Sequence, residues 1–269
     1  MSSLQSRILV GVIGAPALIA IVLWAPTFVI TAVLAVLAGI GACELMKCIG
    51  AAGYIRDCAI SATVLSVQWS AAAENSLLIS VFWMAYIFAA FIYAVVKGGE
   101  IKLSEVTAGM FAVVGISYSF AAFLRINDLG LHRAWLLLPF ILSFACDTFA
   151  FIVGCSIGKH KLAPKVSPKK SVEGAVGGLA GNVLGGCVFV FVMDRFFGGA
   201  GISYGLMAVL SLCCGFVAQL GDLSFSLIKR EYGIKDYGKI FLAHGGVLDR
   251  FDSVLFVAPV IEIILKLAG

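Results

Sequence analysis

Charge is what this chain has least of. Asp, Glu, Lys and Arg make up 13% of its 269 residues, against a hydrophobic fraction of 61% and a mean hydropathy of +1.07. That balance excludes an ordinary soluble core. Histidine is scarce, with three residues, and proline occurs six times. Of the eight cysteines (Cys43, Cys48, Cys58, Cys146, Cys155, Cys187, Cys213 and Cys214) none forms a CxxC pair. A zinc or disulfide framework is therefore not expected, and the thiols read as small apolar fillers. There is no repeat at a fixed period and no low-complexity tract. No basic stripe is interleaved with aromatics either, so nucleic acid is not an expected partner.

What the chain does have is long apolar runs. A helix needs about 20 such residues to cross a bilayer, and nine stretches qualify: 7–24, 27–47, 57–73, 76–97, 105–125, 133–157, 174–197, 202–229 and 247–267. The third is short and opens on Asp57. The first lacks a small-residue cleavage site and reads as a retained span, not a removed leader. The expected fold is all-α, a polytopic integral membrane protein. With the N-terminus cytoplasmic, most of the nineteen Lys and Arg residues fall on the inner side, leaving Arg125, Arg133, Arg195 and Lys266 outside. This is the positive-inside bias. The net charge of +4 is accordingly a facing signal.

By chemistry the chain falls into three parts. Residues 1–100 read as a transmembrane scaffold with a possible dimer surface. Glu44, near a helix end, reads there as an interfacial carboxylate beside Lys47. Residues 101–173 hold further spans and a basic cytoplasmic loop, and residues 174–269 a C-terminal region rich in site candidates. Asp147 lies well inside an apolar helix, where an ionised group costs about 2.5–3.5 kcal/mol on insertion scales; a functional or pairing role follows. The segment 158–182, GKHKLAPKVSPKKSVEGAVGGLAGN, joins five lysines to a Gly-rich helix start. Backbone N–H groups there attract phosphate. A topology-setting basic loop followed by a helix-packing face is the alternative.

The densest cluster is Ser226 to Asp252, SLIKREYGIKDYGKIFLAHGGVLDRFD. Gln219, Asp222, Ser226 and Lys229 are spaced to share one helical stripe, ending at Lys229-Arg230. Asp249, Arg250 and Asp252 open the last helix, and His244-Gly245-Gly246 permits a sharp turn between the two. Asp222 and Asp249 on antiparallel helices would repel unless a cation joined them. Mg²⁺ fits, since it prefers oxygen ligands and shares them with substrate phosphates. Lys229, Arg230, Lys235 and Arg250 are the cations available to phosphate oxygens. A salt-bridged hairpin that only fixes packing or gates a pore is the structural alternative.

At these residues the sequence resembles the phosphatidate cytidylyltransferases, or CDP-diacylglycerol synthases. The family signature is met by Ser226, Lys229, Arg230, Lys235, Asp236, Gly238, His244, Gly245, Gly246, Asp249, Arg250 and Asp252. Gln219, Gly221 and Asp222 fit upstream. Asp147, Ser167, Pro168, Lys169, Lys170, Glu173 and Gly174 fit the family's second region. Leu242-Ala243 departs from its frequent Pro-Gly, and Ser171-Val172 from its Thr and Trp.

The resemblance implies that CTP and phosphatidate give CDP-diacylglycerol and pyrophosphate. It implies a homodimeric enzyme of the cell's inner (plasma) membrane, with its active site facing the cytoplasm and the inner leaflet. Under it, Asp222 and Asp249 hold one or two Mg²⁺. Lys229, Arg230 and Arg250 compensate phosphate charge, and Lys169 and Lys170 approach the triphosphate. Ser226, Lys235 and Asp147 complete the substrate site. His244 bonds a phosphate or braces the turn, and Asp252 supports the metal or pairs with Arg250. A transporter with an acidic ion path, or a CTP-dependent enzyme using another lipid acceptor, are the competing classes.

Overall fold

The computed structural model describes residues 14, 16–72, 76–240 and 245–268. The chain is helical almost throughout, and by contacts it divides into two compact units. One comprises the described residues up to Arg125 together with Tyr232–Arg250, the other Ile126–Glu231 with the described part of 251–269.

Among the described residues six helices are long and apolar enough to cross a membrane: Thr27–Cys48, Leu77–Val96, Leu103–Asn127, Arg133–Ile157, Val172–Phe196 and Tyr204–Glu231. This is a membrane protein, as the apolar runs require. Two further helices, Tyr54–Ala72 and Leu248–Ala268, have 19 and 21 residues. The second carries Asp249, Arg250, Asp252, Glu262 and Lys266, which dilutes its hydropathy. Of the first expected span, residues 16–24 are helical; most of the rest lies outside the described residues.

The first unit holds α1 (Thr27–Cys48), α2 (Tyr54–Ala72), α3 (Ser76–Val96) and α4 (Leu103–Asn127), the last of which crosses into the other unit by two residues. Met46, Ala51, Ile55, Ala59 and Val106 form a buried cluster with Tyr86 packed against it. Helix α4 widens into a π-helical stretch at Phe111–Ile116. Ser117 follows it, bonding back to the Val113 carbonyl and pairing with Ser66 at 2.8 Å. Trp83 Nε1 donates to Ser66 Oγ at 2.7 Å. Polar groups at this depth are thus spent on one another, as hydrocarbon surroundings demand.

The second unit holds α5 (Leu138–Ile157), a hairpin of β1 (Lys161–Ala163) and β2 (Ser167–Ser171), α6 (Val172–Phe196), α7 (Tyr204–Glu231) and most of α8 (Leu248–Ala268). A 3₁₀ turn, Arg133–Leu137, leads into α5, whose Pro139 stands in its first turn where no N–H is missed. The hairpin is a departure from the all-α expectation. Its strands pair antiparallel, Lys161 opposite Ser171 and Ala163 opposite Ser167. Too short to bury a face, it rests on the helices that flank it.

Candidate active site

The second unit's site begins with glycine. Helix α6 lies so close to α5 that a Cβ on Gly177 would sit 2.5 Å from Val153, one on Gly178 2.9 Å from the Cys146 carbonyl, and one on Gly181 would collide with Phe149. Close backbone approach of this kind is the use of small residues in membrane helices. It sets the α6 N-terminus beside the C-terminal half of α5, just beyond Asp147.

Ser171 caps α6, accepting from the Gly174 N–H at 3.1 Å. Glu173, in the same turn, accepts from the N–H groups of Lys159 (3.1 Å) and His160 (3.2 Å) and lies 2.6 Å from His160 Nδ1. Val172 N–H donates to the His160 carbonyl at 2.8 Å. One carboxylate therefore ties the entrance of the lysine hairpin to the helix that follows it. The turn at the hairpin's far end receives Arg230, whose Nε donates to the Val166 carbonyl at 3.3 Å.

Helix α7 supplies the third wall. Gln219 Nε2 donates to the Ala175 carbonyl at 2.9 Å and approaches Cys146 Sγ at 3.6 Å, stitching α7 to both neighbours. One turn on, Asp222 Oδ1 accepts from Ser226 Oγ at 3.3 Å, while Oδ2 is in an ion pair with Lys170. The stripe read from the sequence is realised. Asp147, Lys161, Lys169, Lys170, Gln219 and Asp222 all border one cavity of about 520 Å³. Four of the residues expected at the site, Asp147, Asp222, Lys169 and Lys170, thus meet there.

Asp252 stands near this group. Gly221 packs on α8 so closely that a Cβ would lie 2.6 Å from the Asp252 carbonyl, and Asp252 lies within electrostatic reach of Asp222, Asp147 and Lys229. Lys229 is buried, and Arg230 is exposed.

The first unit holds Lys235, Asp249 and Arg250. Lys235 and Arg250 are exposed. Asp249 is buried, and its Oδ2 accepts from the N–H groups of Tyr237 (2.7 Å) and Gly246 (2.9 Å). Gly245, at φ +83°, takes the left-handed conformation that turns the chain into α8. His244 lies outside the described residues.

Glu44 is a correction to the sequence reading. It is no interfacial carboxylate: it is buried at 5% exposure and accepts from the Val247 and Leu248 N–H groups at 3.0 and 2.9 Å. It thereby satisfies orphan donors at the start of α8. Gly238 and Gly246 flank it, and a Cβ on either would collide with its Oε1. The roles of Glu44 and Glu173 were both missed. The available signal was an acid close to one end of each of two glycine-bearing apolar helices.

Among the described residues no three His, Cys, Asp or Glu side chains form a ready-made metal centre. The donor chemistry nonetheless suits Mg²⁺, which takes one or two carboxylates and completes its shell with water and phosphate. Asp222 and Asp147 border the same cavity, and Asp222 already holds one positive group, the Lys170 ammonium.

Taken together, a helical membrane protein with lysines and carboxylates gathered around one largely apolar cavity belongs among enzymes that handle phosphorylated, anionic reactants. The comparisons agree and are narrower. The chain belongs to the cytidylyltransferase family, whose model matches residues 5–268. It is an enzyme, a nucleotidyltransferase dependent on CTP. It is 30% identical over 222 residues to the phosphatidate cytidylyltransferase of Staphylococcus haemolyticus, covering 82% of each chain. To that of Staphylococcus aureus it is 31% identical over 173 residues, 64% of each chain.

Proposed function

We propose that this chain is a phosphatidate cytidylyltransferase, converting CTP and phosphatidate into CDP-diacylglycerol and pyrophosphate. The observation that carries the reading is the cavity of about 520 Å³ bordered by Asp222, Asp147, Lys161, Lys169 and Lys170 together. Likeness to the Staphylococcus haemolyticus enzyme over 82% of the chain supports it.

The reaction is an in-line displacement. A phosphate oxygen of the lipid attacks the α-phosphorus of CTP, the bond to the β-phosphate oxygen breaks, and pyrophosphate leaves. The nucleophile is already an anion, so no covalent intermediate on the protein is required. What the protein must do is bring two polyanions together and hold them in line. Lys169 and Lys170, on a strand anchored by Glu173 and Ser171, neutralise the triphosphate. Lys229 and Arg250 offset further phosphate charge, while Arg230 holds the hairpin turn and so sets the lysines' reach. Ser226 orients Asp222 through its hydroxyl.

Asp222 is the carboxylate to which we assign Mg²⁺, one or two ions. The sequence makes Asp249 the second ligand, and its part is tested separately below. When bound, the metal supplies charge neutralisation for the attacking and leaving oxygens. The same reading carries nine spans with a cytoplasmic N-terminus, a homodimer, and a site at the cytoplasmic face of the inner membrane.

The test is transfer of labelled CMP from CTP into lipid by purified protein with phosphatidate and Mg²⁺. Label is expected in CDP-diacylglycerol with one pyrophosphate released per turnover. Flux of ions through liposomes without nucleotide transfer would overturn the proposal, and transfer only to a different lipid acceptor would replace phosphatidate as substrate.

A further inference from the structure

Lys170 and Asp222 hold one another in the cavity wall, their side chains 25% and 23% exposed. Neither charge is fully hydrated, and each compensates the other. Yet the reading above asks both to serve elsewhere, Asp222 toward a divalent cation and Lys170 toward phosphate. An ammonium and a metal ion compete for the same carboxylate lone pairs. We propose that Lys170 is an exchangeable counter-ion. It neutralises Asp222 while nucleotide is absent, and passes to the phosphates as metal and nucleotide arrive together.

The local structure permits that exchange without moving the backbone. Lys170 precedes the capping residue Ser171, which is locked to Gly174, and its strand is paired with β1. The ammonium rides on a flexible four-carbon stem with three rotatable donors. Asp222 keeps its bond from Ser226 at the other oxygen throughout. The consequence is coupling. While Lys170 holds the carboxylate, metal alone binds weakly; nucleotide draws Lys170 away and strengthens the metal site, and by reciprocity metal strengthens nucleotide binding.

The experiment needs no turnover. Mn²⁺, a spectroscopic stand-in for Mg²⁺, is titrated by electron paramagnetic resonance into the purified full-length protein without nucleotide. Lys170→Met is expected to bind Mn²⁺ roughly three- to tenfold more tightly than the unaltered protein, although it has lost a residue of the nucleotide site and its KM for CTP rises. Lys170→Gln, close in length, is expected to shift in the same direction and serves if the Met variant fails to fold. The gain is expected to vanish in Lys170→Met/Asp222→Asn. Unchanged or weaker Mn²⁺ affinity in the single variants overturns the exchange, as does a gain that survives loss of the Asp222 charge. This inference rests on the reading of the preceding subsection. Absence of CMP transfer by the unaltered protein sinks that reading as well, whereas normal transfer with no Mn²⁺ gain sinks the exchange alone.

Discussion

The two units use acidic residues for opposite ends. In the first, Glu44 and Asp249 are buried and their oxygens accept from backbone N–H groups at 247, 248, 237 and 246. Such a carboxylate fixes a turn and the start of a helix. In the second, Asp222 meets a side-chain cation and a hydroxyl on the wall of a cavity. The cation sits on a rotatable stem, so it can be exchanged. Burial of charge in a membrane protein is therefore a weak guide to role until the partner is known. At Glu44 and Asp249 the amide partners go with scaffold, and at Asp222 the side-chain cation goes with the cavity. Glu173 lies between these cases, since it binds amides but does so to aim a lysine-bearing hairpin.

Substitutions can break or sharpen that contrast. The largest effect is expected from Asp222→Asn, a fall in CMP transfer of about 10²–10³-fold, the scale seen when one preorganised charge-stabilising group is removed, with thermal unfolding in detergent unchanged. Asp249→Asn is its counterpart. Near-normal turnover in both would falsify the assignment of Mg²⁺ to these carboxylates, and a loss confined to stability in Asp249→Asn would leave that residue a clasp only. Next comes Glu44→Ala. It leaves two buried N–H groups without acceptors and should cost about 1–3 kcal/mol of stability, read as earlier thermal unfolding. Glu44→Gln, which keeps one acceptor, should cost less. If the Ala variant unfolds at the unaltered temperature, the first unit's carboxylate is not structural and the contrast fails.

Lys169→Ala should raise the KM for CTP about tenfold, the value of a charge-assisted bond, with kcat less affected. An unchanged KM discards its contact with the triphosphate. The smallest effect is expected from Glu173→Ala. Its KM for CTP should rise only a few-fold, in keeping with the loss of a partly exposed clasp. Combined with Lys169→Ala it should add little, because both act through one hairpin. Full additivity would show that Glu173 acts elsewhere.

The helices were legible because apolar runs of this length have few other uses, and the stripe Gln219, Asp222, Ser226 because three- and four-residue spacing fixes a helical face. Lys169, Lys170 and Asp147 could be placed beside Asp222 only through resemblance; spacing within one helix does not say which other helix it meets. Glu44 was misread for the same reason, since its amide partners lie more than two hundred positions along the chain. The hairpin escaped notice because LAPKVSPKK has no alternation of apolar and polar residues, and the Glu173 clasp at its entrance comes from a residue beyond it. Nor does any residue in Phe111–Ile116 announce the widened turn.

The glycine-locked pair α5 and α6 has a mechanical consequence. Two rods meshed backbone to backbone tilt as one strut when the hydrocarbon layer around them thins or thickens. The lysines hang from the end of that strut and would rise or sink relative to lipid phosphates as it leans. Reconstitution in bilayers of graded acyl length thus becomes a ruler for how high above the membrane those ammonium groups must stand.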